Sequence, residues 1–215
     1  MGGSTNMKEY YARRAPEYEQ IYTRPERQPD LARLCTLIER TFAGRTVLDV
    51  ACGTGYFTAH AARHARSITG IDANEQTLTI ARSKKLVNAE FVVADAYAIP
   101  QPREPFDAAL VTFWWSHIPR QRIAEFLQGL HRNLAPGAVV VMADNTYVEG
   151  SSTPISRTDD DGNCYQTRAL KNGERHEVLK NFPTYDELAR WGERSGTDVV
   201  VQFLTYFWVL QYRLH

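Results

Sequence analysis

The stretch DVACGTG (49–55) sets an aspartate beside two glycines in a loop that follows a short apolar run. Glycines in such a loop let the backbone approach a ligand closely, and the start of the next helix favours a phosphate. Asp49 would repel a phosphate placed there. An aspartate suits a ligand that brings a positive group, such as an ammonium or a sulfonium, so this loop predicts a site for a cation attached to a nucleoside.

Two further acidic residues follow apolar runs, Asp72 after SITGI and Asp95 after EFVVA. In an open parallel sheet the carboxyl ends of the strands meet at one edge, where ligands bind. There Asp72 can accept hydrogen bonds from both ribose hydroxyls, and Asp95 can reach the exocyclic amine of an adenine. Asp49, Asp72 and Asp95 together predict one nucleoside pocket. Structural roles are the alternatives, Asp72 as a helix cap and Asp95 as a turn residue.

Alternating strand-like and helix-like segments predict an α/β protein that positions these acids. Two helices, at roughly 7–23 and 28–42, precede the sheet within residues 7–44, called here the N-terminal cap. Two apolar runs near the end of the chain have little room for a crossover between them, which predicts an antiparallel pair. We expect a Rossmann-like, seven-stranded, mostly parallel sheet with an antiparallel last strand and helices on both faces. The remaining predicted strands are 46–51, 67–72, 90–95, 106–114 and 136–144, and the helices between them are 56–65, 74–84 and 120–134.

Residues 146–183, called here the lid, interrupt this alternation with polar strands and the turn signals DDDGN and KNG. They predict a small antiparallel β-meander between the fifth strand and the last helix. That helix, at 184–195, begins with Thr184 and Glu187 in capping-box spacing. Residues 1–6 resemble a cloning remnant, and residues 7–215 are predicted to form a single domain.

Composition narrows the class of partner. A chain of 215 residues with 43% hydrophobic residues is long enough for one sizeable core. The 25 basic and 25 acidic residues balance without long blocks, which favours a small-molecule substrate over nucleic acid or a membrane surface. Cys35, Cys52 and Cys164 lack metal-ligand spacing and are odd in number, which favours the cytoplasm. No apolar run predicts a transmembrane segment or a signal peptide. The composition does not distinguish a monomer from a homodimer.

The motifs VLDVACGTGYFT, ITGIDAN, FVVADAYAIP, FDAALVTFWW and LAPGAVVVMAD resemble those of the class I S-adenosylmethionine-dependent methyltransferase family, across residues 45–145. Ala51 stands where the family often has a glycine. The resemblance implies S-adenosylmethionine as the cofactor. By the same resemblance, the methionine part of the cofactor would contact Asp49, Ala51, Gly53 and Gly55. Its ribose would contact Asp72 and Ala73, and its adenine would contact Asp95 and Ala96. Phe113 and Trp114 would complete the pocket.

The stretch EYYARRAPEY (9–18) is similar to the tyrosine-rich first helix that closes over the cofactor in this family. Tyr11 and Tyr18 are therefore candidate cofactor contacts. Their spacing of seven residues puts them on one helix face, so packing against the core is the alternative.

The acceptor site is expected around FWWSHIP (113–119), which follows the fourth strand. His117 is a candidate general base, because its unperturbed pKa lies near neutrality, and a bond to the backbone is the alternative role. Trp114 and Trp115 would point in opposite directions along a strand, so only one of them can line the pocket, and Trp115 is a candidate substrate contact. Other candidates are Asn145 and Tyr147 after the fifth strand, and Ser151, Tyr165 and Arg168 in the lid.

These features predict a metal-independent, in-line methyl transfer to a small molecule, because the sequence shows no metal-ligand constellation. One alternative is cyclisation of S-adenosylmethionine itself to azetidine-2-carboxylate and methylthioadenosine. A further alternative is a NAD-dependent oxidoreductase. Two residues argue against it: Asp49, and Thr58, which stands where a dinucleotide-binding loop carries glycine. The last alternative is a non-catalytic subunit that binds the cofactor.

Overall fold

The computed structural model describes residues 3–170 and 172–215, without the side chains of residues 3–8 and Pro16. The helices are α1 (Gly3–Arg14), α2 (Gln28–Thr41), α3 (Tyr56–Ala61), α4 (Glu75–Ser83), α5 (Ile123–His131) and α6 (Tyr185–Ser195). The strands are β1 (Thr46–Val50), β2 (Ser67–Asp72), β3 (Ala89–Val93), β4 (Phe106–Thr112), β5 (Leu134–Asn145), β6 (Arg157–Thr158), β7 (Cys164–Ala169), β8 (Arg175–Leu179), β9 (Gly196–Phe203) and β10 (Phe207–Leu214). Short 3-10 helices cover Ala15–Thr23, Pro25–Arg27, Trp115–His117 and Arg120–Arg122.

The main sheet has seven strands in the order β3-β2-β1-β4-β5-β10-β9. Strands β1 to β5 are parallel to one another, whereas β10 runs antiparallel to both β5 and β9. The predicted Rossmann-like architecture with an antiparallel last strand is therefore confirmed. Because the five parallel strands end at one edge, the loops that follow them converge there.

Both faces of this sheet are buried, which explains why its central strands are almost continuously apolar. One face packs under α5 and α6 and contains Leu48, Phe126 and Leu188. The opposite face packs under α2 and α3 and contains Val47. Side chains alternate along a strand, so Asp49 shares the face of Val47 and points towards α3.

The N-terminal cap differs from the expected single helix over 7–23. The α-helix ends at Arg14, and a 3-10 helix continues from Ala15 to Thr23. Pro16 stands at the start of this second segment and has no backbone N–H to donate to the preceding turn, which ends an α-helix. Helix α1 begins at Gly3, inside the predicted cloning remnant, whose residues 1 and 2 lie outside the described residues. The origin of that segment stays a prediction.

The lid forms the expected antiparallel meander, with strand order β6-β7-β8. Helix α1 packs against β8, which joins the lid to the N-terminal cap. The capping box of α6 is also confirmed: Glu187 N–H donates to Thr184 Oγ1 at 3.2 Å, and Thr184 N–H donates to Glu187 Oε2 at 2.8 Å. None of the helices in the described ranges has the length and apolar character needed to cross a bilayer.

Candidate functional site

The loop between β1 and α3 is held in a conformation that few side chains tolerate. Ala51, Gly53 and Gly55 all have positive φ, of 56°, 56° and 74°. A Cβ added at Gly55 would lie 3.1 Å from the Cβ of Ala81 on α4, so this position requires glycine for both its backbone angle and its space. Such strained backbone concentrates at binding sites.

Asp49 has an unsatisfied oxygen directly beneath this loop. Its side chain is fully buried, and Oδ2 accepts a hydrogen bond from Thr58 Oγ1 at 2.6 Å. Oδ1 has no hydrogen-bond partner within the described part of the chain. Burial raises the pKa of Asp49 to about 7; the hydrogen bond from Thr58 opposes this shift, and the nearby charge of Asp72 adds a smaller increase. A buried carboxylate oxygen without a donor fits a ligand that brings an ammonium or a sulfonium.

Asp72 connects the loop to the next strand. Its Oδ2 accepts from the backbone N–H of Gly53 at 3.0 Å, and its Oδ1 accepts from that of Asn74 at 2.8 Å. A carboxylate has about four lone-pair sites, so its acceptor capacity exceeds these two bonds. Asp95 is exposed two residues beyond β3 and accepts from the N–H of Tyr97 at 2.9 Å. Ala96 beside it is buried.

The end of β4 completes this edge of the sheet. Phe113 has a positive φ of 57°, and its ring packs against Phe57 and Phe207. Trp114 is half-buried against Tyr97, and its indole N–H is buried without a partner among the described residues. The three strand-end acids, the loop and this turn are called here the nucleoside edge.

A cavity of about 710 Å³ adjoins the nucleoside edge between the N-terminal cap and the lid, and it is called here the cap cavity. Its wall is rich in aromatic rings, which are Tyr10, Tyr11, Tyr18, Phe113 and Phe182. Six positively charged side chains also line it, which are Arg13, Arg14, Arg24, Arg27, Arg168 and Lys180. Tyr11, Tyr18 and Tyr22 follow one another in edge-to-face contacts, with ring centroids 5.9 and 6.1 Å apart.

His117 forms the centre of a hydrogen-bonded chain in this cavity. Its Nδ1 lies 2.7 Å from the carbonyl oxygen of Leu179, and its Nε2 lies 2.8 Å from the hydroxyl of Tyr11. A carbonyl only accepts, so Nδ1 carries the hydrogen and Nε2 accepts the proton of the Tyr11 hydroxyl. Burial, with the charge of Lys180, lowers the pKa of His117 to about 3, so the imidazole is neutral. Arg168 Nη1 donates to the Tyr11 oxygen at 3.3 Å.

A buried ion pair supports the same wall. Lys180 Nζ donates to Asp144 Oδ1 at 2.8 Å and to Ser116 Oγ at 2.6 Å, and both charged side chains are buried. Burial alone would raise the pKa of Asp144, but the ammonium of Lys180 and the hydrogen bonds from Lys180 and from the Ser116 N–H act together with other lowering contributions to lower that pKa. Burial lowers the pKa of Lys180. Asp144 Oδ1 also accepts from the backbone N–H of Asn145 at 2.7 Å, which fixes the end of β5.

Seven of the predicted site residues line the cap cavity. They are Tyr11, Tyr18, Phe113, His117, Asn145, Ser151 and Arg168. One nitrogen of His117 lies at hydrogen-bond distance from a backbone carbonyl, as the alternative role expects, and the other faces Tyr11, while its role as a general base stays a prediction.

Three of the residues predicted for the acceptor site do not line the cap cavity. β4 ends at Thr112, so the alternation argument for the tryptophans does not apply, and Trp115 turns into the core against Trp208 at 5.9 Å between ring centroids. Tyr147 is partly exposed and packs on Phe182. Tyr165 contacts other residues of the lid: its hydroxyl donates to Asp159 Oδ2 at 3.0 Å, and the guanidinium of Arg157 lies 3.6 Å from its ring centroid.

Sequence reasoning missed Asp144, Lys180, Arg14 and Arg27. Asp144 and Lys180 are 36 residues apart, and they meet only because the lid folds back over β5. A lysine between apolar residues at the end of a lid strand, in VLKNF, was the available signal for Lys180. In the described residues no cluster of three or more metal-ligating side chains occurs.

The sheet order, the strained glycine loop and the strand-end acids define a nucleoside-binding protein of the class I methyltransferase fold. Residues 47–137 match the model of a family described as a methyltransferase domain. This segment is a methyltransferase domain, and the fold is that of the class I S-adenosylmethionine-dependent methyltransferases. The protein is a transferase whose cofactor is S-adenosylmethionine.

Similar proteins agree with this assignment. A demethylmenaquinone methyltransferase of Staphylococcus aureus is 28% identical over 176 residues, covering 71% of this chain and 68% of that protein. The solved structure of DhpI in a complex with SAM and HEP is 26% identical, with a TM-score of 0.79 over 96% of this chain and 95% of that one. A DhpI complex with SAH is 27% identical, with a TM-score of 0.76 over 96% and 94% of the two chains.

Proposed function

We propose that the protein transfers the methyl group of S-adenosylmethionine to a small-molecule acceptor bound in the cap cavity. The observation that carries this proposal is the cavity of about 710 Å³ directly beside the nucleoside edge. Its volume is in the usual range for pockets that hold small ligands, roughly 300–1,000 Å³. The N-terminal cap and the lid form its walls.

The nucleoside edge is assigned to the cofactor as follows. The unpaired Oδ1 of Asp49 lies where the methionine ammonium or the sulfonium would be stabilised, and Ala51, Gly53 and Gly55 leave room for the chain. The ribose is assigned to Asp72 and Ala73. The adenine is assigned to Asp95 and Ala96, with Phe113 and Trp114 beside it and Tyr11 and Tyr18 over the methionine end.

S-adenosylmethionine, when bound, supplies a methyl group already activated by its sulfonium, so the protein need only align the acceptor, exclude water and accept a proton. We assign the proton acceptor to the pair formed by Tyr11 and His117. A proton leaving an acceptor hydroxyl or amine passes to the Tyr11 oxygen, while the Tyr11 proton passes to His117 Nε2. Metal independence remains part of the proposal.

The role of His117 has a direct test once an acceptor is known. His117→Gln should lower kcat by about 10²–10⁴-fold, the usual contribution of a general base. Its affinity for S-adenosylhomocysteine should stay unchanged, because His117 lies outside the nucleoside edge. Loss of that affinity with an unchanged kcat would assign His117 to the cofactor instead.

The first experiment on the function is mass spectrometry of the protein incubated with S-adenosylmethionine, with and without a panel of phenols, amines and carboxylic acids. S-adenosylhomocysteine formed together with a methylated acceptor would support the proposal. Methylthioadenosine formed without any acceptor, together with a four-membered-ring amino acid, would replace it with intramolecular cyclisation. Cofactor that binds and stays unchanged with every acceptor would favour a non-catalytic subunit.

Calorimetric titration with S-adenosylhomocysteine tests the cofactor site separately. Asp72→Ala removes a charged acceptor from the nucleoside edge and should weaken binding about 10–100-fold. Asp107→Ala is the matched control, because Asp107 also accepts a backbone N–H, that of Thr46 at 2.8 Å, but at the opposite end of the strands. Equal affinities of the two variants would contradict the assignment.

A further inference from the structure

The cap cavity has an excess of positive charge. Among its described lining residues, Glu17 is the single acidic side chain beside six cationic ones. Some of these charges are neutralised locally. Arg13 pairs with Glu9 and with Glu174 at 2.6 Å, and Lys180 pairs with Asp144.

Arg168 differs from these residues because its recorded partners are neutral. Its Nε and Nη2 donate to Gln166 Oε1 at 3.2 and 2.7 Å, and its Nη1 donates to the Tyr11 hydroxyl at 3.3 Å. A guanidinium has five N–H groups, of which three make these bonds, and the neutral Tyr10 hydroxyl is a further neighbour. The terminal nitrogens therefore keep N–H capacity for the oxygens of a carboxylate or a phosphoryl group.

The protein holds this guanidinium in place before any ligand binds. Gln166 is almost completely buried, and its Nε2 donates to the carbonyl oxygen of Thr153 at 2.6 Å. This bond orients the amide so that Oε1 faces Arg168. A buried amide that positions an arginine without neutralising its charge leaves that charge available to a ligand.

A second guanidinium lies in the same cavity. Arg27 Nη2 donates to Ser151 Oγ at 3.2 Å, and its guanidinium lies 5.2 Å from the ring centroid of Tyr206. Its Nε is buried without a hydrogen-bond partner in the described ranges. An unsatisfied buried donor is costly, and an acceptor oxygen from a ligand would remove that cost.

We propose that the acceptor of the methyl group carries an anionic oxoacid, a carboxylate or a phosphoryl group, and that Arg168 binds this group together with Arg27. This inference rests on the proposed function, since it names the substrate class of the same cavity. The proposal also implies that the acceptor binds before its proton is removed. The positive charges of Lys180 and Arg168 add to burial in lowering the pKa of His117, and a bound anion offsets them, so the base strengthens when the acceptor is present.

The test titrates the protein, saturated with S-adenosylhomocysteine and also without it, with benzoate, phenylphosphonate and benzamide. Benzamide has nearly the shape of benzoate without its charge. At least one of the two anions should bind about tenfold or more tightly than the amide, as expected for a charge-assisted bidentate contact. Benzoate and phenylphosphonate then distinguish a carboxylate from a phosphoryl acceptor. Equal binding of all three, or binding of benzamide alone, overturns the proposal, and so does no binding of any.

Variants locate the contact. Arg168→Gln should weaken anion binding at least about tenfold, and Arg168→Lys should restore part of it, because the charge returns without the paired N–H groups. Arg175→Gln is the matched control, since Arg175 is exposed on the neighbouring strand β8 outside the cavity. Its anion affinity should match that of the unchanged protein. Anion affinity that is equal in Arg168→Gln and Arg175→Gln would remove Arg168 from the proposal.

A final arm separates the acceptor from the cofactor's own carboxylate. S-adenosylhomocysteine has that carboxylate and methylthioadenosine lacks it. If Arg168→Gln weakens only S-adenosylhomocysteine and leaves the anion panel unchanged, Arg168 serves the cofactor and the proposal fails. If the unchanged protein does not bind S-adenosylhomocysteine, the cofactor assignment fails, while the panel measured without it still decides whether the cavity binds anions.

Discussion

The nucleoside edge and the cap cavity are adjacent, yet they carry opposite charges and come from different parts of the chain. Asp49, Asp72 and Asp95 all lie within residues 47–137, the segment that matches the methyltransferase family. Arg27, Arg168 and the other cations of the cavity lie outside it. Similarity to the family therefore describes how the cofactor binds, whereas the acceptor must be inferred from segments that the family model does not cover.

The largest effect should come from the buried charges of the cap cavity. Lys180→Met leaves Asp144 ionised and buried without its partner, which should lower the free energy of unfolding by about 3–5 kcal/mol. Denaturant unfolding measures this change. Lys84→Met is the control, since Lys84 pairs with Glu19 at 2.7 Å near the surface, and it should cost less than about 1 kcal/mol. Similar losses of unfolding free energy in both variants would contradict the expectation that the buried ion pair contributes more than the surface ion pair.

The nucleoside edge should respond to pH. The pKa of Asp49 is raised to about 7 without ligand, and an ammonium favours the ionised carboxylate, so binding below pH 7 expels a proton. Affinity for S-adenosylhomocysteine should therefore fall as pH falls below 7, by up to about tenfold per pH unit. Calorimetry at pH 5.5 to 8, in buffers of different ionisation enthalpy, measures both the slope and the proton.

Two variants separate Asp49 from its neighbours in that experiment. Asp49→Asn should bind more weakly and lose the pH slope. Asp95→Asn should keep the slope, because Asp49 is unchanged in it. A slope that persists in Asp49→Asn would assign the titration to another group.

The smallest effect is expected from a comparison of Gly55 in the nucleoside edge with Gly150 in the lid. Gly55→Ala and Gly150→Ala both put a side chain on a backbone with positive φ, of 74° and 77°. Only Gly55 is also crowded, by Ala81, whereas nothing lies within 4 Å of a Cβ at Gly150. Gly55→Ala should therefore be less stable than Gly150→Ala by roughly 1 kcal/mol, measured by thermal or denaturant unfolding. A larger loss for Gly150→Ala would contradict this reading of the loop.

The fold and the nucleoside edge were predictable because their signals are local. Each strand-end acid follows its own apolar run, and parallel strands bring such residues to one edge whatever their separation in the chain. The end of β4 was less predictable, since the positive φ at Phe113 ends the strand at Thr112, before either tryptophan. That turn, invisible to strand periodicity, is why Trp115 enters the core and does not line the cap cavity.

The cap cavity was harder to predict because its residues meet only through tertiary structure. Period-two alternation shows that Gln166 and Arg168 share a face of β7, but it does not show which face is covered. The overall balance of charge also concealed the local excess, since the acids of the nucleoside edge offset the arginines in any count over the whole chain.

The hydroxyl of Tyr11 connects three segments that are far apart in the chain. It belongs to α1, it donates to His117 after β4, and it accepts from Arg168 in the lid, 157 residues away. The nucleoside edge, by contrast, is built within residues 47–137. A chain that has folded its central sheet but has not yet docked its two outer segments therefore has a place for the nucleoside and no proton acceptor. On the proposed function, cleavage of the lid should therefore remove methyl transfer before it removes binding of the cofactor.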